Sequence, residues 1–322
     1  MNLVLGTMNI EYPYSSNKDK TINSYKEIIE KYISISDNPI LDTAYYYGNT
    51  KTEIILGNIL KDINSNKNIK IATKANPWFN NDFTNNIFGQ LSKINLEKQL
   101  NTSLKNLQLD NVEIFYLHCP DHETPINETL EKCDELWRKE KYNYLGISNY
   151  SKESLNDIIH LCDKYNYEKP KYYQGMYNII SRKVEEIFPL LNEYNIEFWG
   201  YNPLAGGLLT GKYKNININE LEEDSRFKNN NIYKNIFWKN DIIDNLNNFF
   251  SFNNPIEKSF HWLLKYSKLK EKDKIILGVS SLQQLNDNID IINKNINYDS
   301  NIINNINILY NTIEIQSPNY YY

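Results

Sequence analysis

The stretch from Ile40 to Gly48 reads ILDTAYYYG and places a carboxylate and a phenol five residues apart. Asp42 comes after a short apolar run that is typical of a strand, and Tyr47 falls in the loop that would follow that strand. In chains of alternating strands and helices, these strand ends and loops converge on one face and carry the chemistry. The stretch therefore predicts that Asp42 and one of the three consecutive tyrosines Tyr45 to Tyr47, with Tyr47 as the candidate, belong to one functional site.

Polar side chains also close the later apolar runs of the chain. One such residue or pair stands at the carboxyl end of each predicted strand from the second to the sixth, namely Asp42, Lys74, His118, Ser148 with Asn149, and Gln174. The packed interior of a barrel disfavours charge, so polar groups collected on one rim predict a site there. Taken singly, Asp42 could cap the next segment and His118 could be a core histidine.

Three of these residues suit proton transfer from a tyrosine beside a hydride. An unperturbed phenol has a pKa near 10, so a phenol acting as an acid at neutral pH benefits from a cation that stabilises the phenolate. Lys74 can be that cation, with Asp42 holding the ammonium in place and charged. His118 can orient a carbonyl oxygen toward Tyr47, provided that a neighbour holds one ring nitrogen. This chemistry requires no metal.

The elements that must position these residues alternate regularly along the chain. The eight predicted strands are Leu3–Thr7, Pro39–Asp42, Ile69–Thr73, Val112–Leu117, Tyr144–Ile147, Tyr172–Gln174, Ile196–Gly200 and Lys274–Leu277. The predicted helices are Ile22–Ile35, Glu53–Leu60, Ser92–Leu107, Pro125–Arg138, Lys152–Tyr165, Val184–Tyr194 and Pro255–Leu269. This order predicts an α/β protein with one domain over residues 1–322, a (β/α)8 or TIM barrel.

Two regions depart from the alternation. Residues 207–250 form an irregular, Asn-rich loop that is too long for an ordinary connection, so we expect either a lid or a partly disordered segment. After the last strand, SSLQQLNDN predicts the start of a helix, and a second helical pattern covers Asn301–Thr312. The aromatic tail, residues 313–322, is expected to lie near the barrel mouth.

Composition excludes several classes of partner. The 322 residues carry a net charge of −5, which predicts no attraction to nucleic acid or to an anionic membrane. No apolar run reaches the roughly 18 residues of a membrane span, and the first residues lack a charged leader region, so we expect a cytoplasmic protein. Cys119, Cys133 and Cys162 are widely spaced, which argues against a disulfide framework or a zinc site.

The chain resembles the aldo-keto reductase superfamily, and within it the aflatoxin aldehyde reductase branch, which includes succinic semialdehyde reductases. The resemblance runs nearly end to end through LGTMN, LDTAYYYGNTKTE, IATKANP, FYLHCPDHETP, LGISNYS, YQGMYNIISR, YNPLAGGLLTGKY, SRF, ILGVSSLQQL and PNY. It implies a catalytic tetrad of Asp42, Tyr47, Lys74 and His118, with the cofactor NADPH/NADP+ bound across the mouth of the barrel.

The resemblance also implies which residues bind this cofactor. Ser148, Asn149 and Gln174 match positions that hold the nicotinamide carboxamide, and Tyr201 matches the aromatic residue on which that ring stacks. The loop that covers the pyrophosphate corresponds to Asn202, Pro203, Leu204, Ala205, Gly206, Gly207, Gly211 and Lys212. The adenosine end corresponds to Arg226, Ser280 and Gln284 near the 2′-phosphate, Asn288 near the adenine, and Gly278 at the end of the last strand.

Physical arguments agree with this assignment. Glycines let the backbone approach a phosphate closely, and a helix that begins near Ser280 favours an anion at its N-terminus. No GxGxxG follows the first strand, so a Rossmann-type site is not predicted. We therefore expect NADPH to be preferred over NADH.

The expected substrate-pocket residues are Met8, Trp78, Trp238 and Tyr322. Relatives of the branch end in a basic residue that helps to receive acidic aldehydes, whereas this chain ends in three tyrosines, Tyr320 to Tyr322. Ile236 also stands where those relatives tend to carry arginine. An aromatic pocket suits neutral or aromatic aldehydes and ketones better.

Two function classes remain open. The first is an NADPH-dependent reductase that converts aldehydes, ketones or dicarbonyls to alcohols, with Tyr47 as the acid and a small-molecule carbonyl compound as substrate. The second is a cofactor-binding docking module, as in the related potassium-channel β subunits. The complete tetrad favours the enzyme. Relatives of the branch are often dimers, so a homodimer is also an open expectation.

Overall fold

The computed structural model describes residues 2–10, 22–63, 65–79, 88–222, 225–249 and 254–322. The strands are β1 (Leu3–Gly6), β2 (Ile40–Asp42), β3 (Lys70–Ala75), β4 (Val112–Leu117), β5 (Tyr142–Ser148), β6 (Tyr172–Met176), β7 (Glu197–Tyr201) and β8 (Lys274–Gly278). The helices up to β7 are α1 (Ile22–Ile35), α2 (Lys51–Asp62), α3 (Lys93–Leu107), α4 (Ile126–Arg138), α5 (Lys152–Tyr165) and α6 (Phe188–Glu193). Those after β7 are α7 (Arg226–Asn229), α8 (Asn231–Phe237), α9 (Asn240–Phe249), α10 (Pro255–His261), α11 (Leu282–Asn293) and α12 (Ser300–Ile313).

The strands form a closed parallel barrel. Each strand pairs with the next in chain order, and β1 pairs with β8, where Leu3 lies opposite Ile275. Each predicted strand overlaps an observed one, with ends that differ by at most two residues, and the (β/α)8 prediction is confirmed. All strands therefore direct their carboxyl ends to the same rim.

Two hydrophobic layers hold the barrel together. The smaller fills the barrel interior with Val4, Ile40, Ala72, Ile114, Tyr116, Trp199 and Ile276, and the larger lies between the strands and the surrounding helices. Helix α5 shows how the outer layer forms, because it buries Leu155, Ile158, Ile159 and Cys162 along one helical face. Its first turn is capped by the Ser151 hydroxyl, which accepts a hydrogen bond from the Ser154 amide.

Residues 207–250 contain helices that the sequence pattern did not predict. Helices α7, α8 and α9 lie in this region, and α9 packs against α12. The Asn-rich composition is the reason that these helices were not predicted. Asparagine nevertheless stabilises one helix start, because the Asn230 side chain accepts hydrogen bonds from the amides of Ile232 and Tyr233. A further Asn-rich tract of the sequence, residues 80–86, lies outside the described residues.

Two predicted helices are shorter or less regular than expected. The segment from Val184 to Tyr194 divides into a 3-10 helix, Lys183–Ile187, and α6. Beyond α10, the chain continues as a turn of π-helix, Trp262–Tyr266. Across the described part of the chain, every helix is too short or too polar to cross a membrane.

Candidate active site

The carboxyl ends of β2, β3 and β4 bring three polar side chains to the rim. Asp42 is the last residue of β2, Lys74 precedes the last residue of β3, and His118 follows β4. Tyr47 opens a 3-10 turn in the loop after β2. That loop is tied to β3, because the Tyr45 amide donates a 3.0 Å hydrogen bond to the Lys74 carbonyl.

A buried ion pair lies at the centre of the rim. Lys74 Nζ lies 2.8 and 2.7 Å from the two carboxylate oxygens of Asp42 and 2.7 Å from the Thr43 carbonyl oxygen. Lys74 is 0% exposed and Asp42 is 2% exposed. Burial lowers the pKa of the Lys74 ammonium, and the Asp42 carboxylate opposes that shift. Asp42 therefore both holds the ammonium and favours its charged form.

The phenol and the imidazole lie against this pair. Lys74 Nζ is 5.2 Å from the centroid of the Tyr47 ring, and the centroids of the Tyr47 and His118 rings are 5.9 Å apart. Burial, and then the Lys74 charge, lower the pKa of His118 well below its usual value, so the ring is neutral at pH 7. His118 Nδ1 is buried with no hydrogen-bond partner among the described residues, so the neighbour expected to hold a ring nitrogen is not found there.

The residues predicted to hold the nicotinamide carboxamide are joined to this site. Gln174 Nε2 donates to Asp42 Oδ1 at 2.9 Å. Asn149 Nδ2 donates to the His118 carbonyl at 2.9 Å and to Ser148 Oγ at 3.1 Å. The Tyr201 hydroxyl donates to Asn149 Oδ1 at 2.8 Å. Ser148, Asn149 and Tyr201 thus form a hydrogen-bonded shelf beside Asp42 and His118, and Gln174 joins it because the Asn149 amide donates to the Gln174 carbonyl at 3.3 Å.

The loop after β7 has a backbone that requires glycine. Gly206 and Gly207 have φ values of +68° and +101°, which other residue types rarely adopt. A Cβ at Gly206 would lie 2.6 Å from the Tyr233 ring, whereas a Cβ at Gly207 would meet no atom within 4 Å. The Gly207 backbone therefore faces open space. The other predicted residues of this loop are Asn202, Pro203, Leu204, Ala205, Gly211 and Lys212.

Arg226 is brought to the end of β8 by a residue that was not singled out from the sequence. Arg226 Nη2 donates to Asn9 Oδ1 at 2.9 Å, and Asn9 Nδ2 donates to the Val279 carbonyl at 3.2 Å. Asn9 is the last residue of LGTMN and lies in the turn after β1, the strand that pairs with β8. Gly278 ends β8 and is exposed.

The chain after β8 places the remaining predicted cofactor residues. The amide and hydroxyl of Ser280 lie 2.7 and 3.1 Å from Gln284 Oε1, and α11 begins at Leu282 with Ser281 as its cap. Asn288 is 4% exposed, and its Nδ2 has no hydrogen-bond partner in the described part of the chain. A buried donor without a partner, an open glycine backbone and a nearby guanidinium together fit a phosphorylated dinucleotide.

The predicted pocket residues have different surroundings. Trp78 lies 5.4 Å from the His118 ring and 5.6 Å from the Tyr46 ring. The Tyr322 amide donates to the Asn149 carbonyl at 3.3 Å, so the tail reaches the mouth. Trp238 packs against Tyr213 and Phe227 in the 207–250 region. Met8 lies in the turn after β1.

Glu53 is a second buried carboxyl group that the sequence did not mark. It is 0% exposed, and Thr73 Oγ1 donates to its Oε1 at 2.6 Å. Burial raises its pKa to about 7, opposed by the Thr73 hydrogen bond and by the charge of Lys74. The sequence feature that could have marked Glu53 is its position at the end of LDTAYYYGNTKTE, eleven positions after Asp42.

Comparison with known proteins identifies the class to which this fold and site belong. The chain is a member of the Aldo/keto reductase family, whose profile matches residues 2–311. It is therefore an oxidoreductase acting on small carbonyl compounds, and the resemblance found in the sequence is confirmed.

Individual relatives agree with this membership. The chain is 37% identical over 265 residues to aflatoxin B1 aldehyde reductase member 2 of Mus musculus, covering 77% of this chain and 70% of that protein. It is 37% identical over 297 residues to the Rattus norvegicus protein of the same name, covering 87% and 78%. A crystal structure of a thermostable aldo-keto reductase with the inhibitor epalrestat matches with a TM-score of 0.66 at 22% identity, over 97% of this chain and 95% of the other, which supports the fold.

Proposed function

We propose that this chain reduces aldehydes to alcohols with NADPH and uses Tyr47 as the general acid. The observation that carries the proposal is the buried Asp42–Lys74 pair, whose ammonium lies 5.2 Å from the Tyr47 ring centroid. A cation in that place stabilises the phenolate that remains after a phenol gives up its proton. An ion pair with a purely structural role would not need an adjacent phenol.

Each member of the tetrad then has one task. Bound NADPH supplies the hydride. Tyr47 donates its proton to the carbonyl oxygen, and the Lys74 ammonium stabilises the resulting phenolate. The neutral imidazole of His118 donates an N–H to the same oxygen and so orients it. Asp42 keeps the ammonium in place.

The preference for NADPH over NADH rests on Arg226. Its guanidinium bonds Asn9, which in turn bonds the carbonyl of Val279, the residue that precedes Ser280. Arginine recognises phosphate by charge-assisted hydrogen bonds, so a 2′-phosphate fits this place. Asn288, with its buried and unpartnered amide nitrogen, supports an adenine site on the same helix as Gln284.

The substrate proposal rests on the aromatic rings around His118. Tyr46 and Trp78 extend the surface formed by Tyr47 and His118. Ile236, which stands where relatives of the branch tend to carry arginine, packs against the hydrophobic core. Neutral and aromatic aldehydes are therefore proposed as better substrates than aldehydes that carry a carboxylate.

The experiment that tests this function follows NADPH oxidation with a panel of aldehydes, including benzaldehydes and succinic semialdehyde. The Tyr47→Phe variant should bind NADPH as wild type does and lose about 100-fold or more of kcat, because its acid is gone. The adjacent Tyr46→Phe variant is the matched control and should stay within about threefold. If wild type and Tyr47→Phe are equally slow on every aldehyde, the proposed reaction is wrong and the docking-module alternative is favoured.

A separate titration tests the cofactor. Arg226→Ala should weaken NADPH binding by at least about tenfold more than NADH binding, because only NADPH carries the 2′-phosphate. Lys228→Ala, two positions further along α7, is the control and should affect neither. Equal losses for the two nucleotides in Arg226→Ala would refute the phosphate assignment.

A further inference from the structure

A second phenol lies beneath the tetrad, inside the barrel. Tyr116 is 0% exposed, and its ring centroid is 5.8 Å from Lys74 Nζ. The Tyr47 ring is 5.2 Å from the same atom, so the ammonium lies within cation–π distance of two phenol rings. The proposed reaction gives a role only to Tyr47.

The neighbouring strands leave space for this ring. In the register of the barrel, Tyr116 of β4 lies opposite Lys74 of β3 on one side and Gly146 of β5 on the other. A Cβ at Gly146 would lie 2.3 Å from two atoms of the Tyr116 ring. Any side chain at that position would push the ring away, so glycine there and tyrosine beside Lys74 belong together. The Trp199 ring, 6.1 Å distant, packs against Tyr116 within the barrel.

The hydroxyl group does not account for a tyrosine at this position. Tyr116 Oη is buried and makes no hydrogen bond of ordinary geometry within the described residues, which costs free energy relative to phenylalanine. Burial, and then the Asp42 charge, raise the pKa of this phenol well above its usual value, although the Gln174 amide opposes part of the shift. Tyr116 therefore stays neutral, and its contribution to Lys74 is its ring face.

We propose that Tyr116 is a positioning residue for the reductase reaction, whose ring face keeps the Lys74 ammonium charged and in place beneath Tyr47. The three N–H groups of the ammonium are already used by the two Asp42 oxygens and the Thr43 carbonyl. A ring face adds negative electrostatic potential without requiring another hydrogen bond. Tyr116 thus offsets part of the penalty that burial imposes on the charge.

Other ionisable groups also face these two residues. Those around Lys74 are Asp42 of β2, Glu53 of α2, Tyr47 of the loop after β2, and His118 after β4. Those around Tyr116 are Asp42, Tyr172 of β6 and Glu197 of β7. All of them remain in a variant that changes only Tyr116, so a change in pH dependence reports on this ring.

The test keeps the shape of the ring and changes its electrostatic potential. The protein is prepared with phenylalanine at position 116, and then with phenylalanines carrying two, three and five ring fluorines, which progressively weaken the negative face. The pH dependence of kcat/KM is measured for NADPH-driven aldehyde reduction. Tyr116→Phe should keep the high-pH limb of wild type. The fluorinated series should move that limb to lower pH, by about one unit at the end, because the ammonium loses its proton earlier.

A structural role would give a different result. If the ring only fills the barrel, fluorination leaves the high-pH limb unmoved while changing thermal stability, and the proposal is overturned. Tyr172→Phe is the matched control, because its ring also packs on Trp199 but is not within cation–π distance of Lys74. Its high-pH limb should coincide with that of wild type.

A second readout does not depend on turnover, since the inference rests on the proposed function. Lysines labelled with 13C at Cε are titrated by NMR, and the Lys74 signal is assigned by its absence in Lys74→Met. The Lys74 pKa should fall along the fluorinated series by about the same one unit. If wild type reduces no aldehyde, the reductase proposal fails while this titration still tests Tyr116. A Lys74 pKa that is the same in every variant refutes the role of Tyr116 alone.

Discussion

Gln174 Nε2 donates a 2.9 Å hydrogen bond to Asp42 Oδ1, from β6 to β2. In a closed barrel of eight strands these two strands lie diametrically opposite each other. The Asp42 carboxylate is therefore held from two sides, by the Lys74 ammonium and by the Gln174 amide. Because its orientation fixes the ammonium, Gln174 contributes to the tetrad as well as to the predicted cofactor shelf.

Replacing Gln174 by leucine removes this second donor. We expect Gln174→Leu to lower kcat/KM about tenfold and the free energy of unfolding by roughly 1–3 kcal/mol, because a buried carboxylate oxygen loses a hydrogen bond. Steady-state kinetics and urea unfolding measure the two effects. Gln174→Glu, which places a second carboxylate against Asp42, should lose more activity at pH 8 than at pH 6. A Gln174→Leu variant altered only in NADPH affinity would show that the bond to Asp42 is dispensable.

Glu53 predicts a pH dependence of stability. Burial raises the pKa of its carboxyl from 4.5 to about 7, so the folded state favours the protonated form. Its stabilising contribution is complete below about pH 4.5 and is lost as the pH rises toward about 7. Glu53→Gln is neutral at every pH. As the pH rises from about 4.5 to about 7, the unfolding free energy of Glu53→Gln should therefore increase relative to that of wild type by roughly 3 kcal/mol.

Urea unfolding of both proteins at several pH values between 4 and 8 measures this difference. Glu30→Gln on α1 is the control, because the Glu30 side chain is 47% exposed and its variant should follow the wild-type curve. Parallel curves for Glu53→Gln and wild type would mean that Glu53 titrates alike in the folded and unfolded chains.

The fold and the approach of Asp42, Lys74 and His118 to one rim were predictable from the sequence for one physical reason. Parallel strands of a barrel end on the same rim, so polar residues that close successive apolar runs must come together. The sequence could not show which of them touch. The bond between Arg226 and Asn9 joins residues 217 positions apart, and it depends on closure of β8 onto β1. Burial of Tyr116 likewise depends on Gly146, one strand away.

In the 207–250 region, the sequence failed to predict the secondary structure. Asparagine has a low helix propensity, so its abundance there predicted an irregular loop. The helices form because tertiary packing overrides that preference: Phe237, Ile242 and Leu246 are all 0% exposed. Composition therefore predicted a loop where helices form, because the apolar residues of this segment pack against residues elsewhere in the chain.

Asn288 predicts a separation of cofactor binding from stability. Its amide nitrogen is buried without a partner among the described residues. Asn288→Leu replaces this unsatisfied donor with an apolar side chain of similar size. Thermal stability without cofactor should be unchanged or slightly higher, whereas the Kd for NADPH should rise about tenfold, since the adenine loses a hydrogen bond. Calorimetric titration and thermal unfolding measure the two quantities.

The control for this prediction lies on the same helix. Gln283 is exposed on α11 and contacts Asp287, so Gln283→Leu should leave the Kd for NADPH unchanged. If Asn288→Leu lost thermal stability and kept its NADPH affinity, Asn288 would be a structural residue and the adenine assignment would be wrong.

Alanine substitutions at the two adjacent glycines of the loop after β7 are expected to differ: Gly207→Ala should mainly weaken NADPH binding, and Gly206→Ala should mainly lower stability. Gly207→Ala strains a backbone at φ +101° at a cost of roughly 1–2 kcal/mol, but its methyl group would meet no protein atom within 4 Å. That methyl occupies the space proposed for the pyrophosphate, so NADPH affinity should fall by more than about tenfold. Gly206→Ala instead places its Cβ 2.6 Å from the Tyr233 ring and should lose more stability than Gly207→Ala. Thermal unfolding and NADPH titration of both variants measure these effects. A Gly207→Ala variant that binds NADPH as tightly as wild type would show that the pyrophosphate does not lie against this loop.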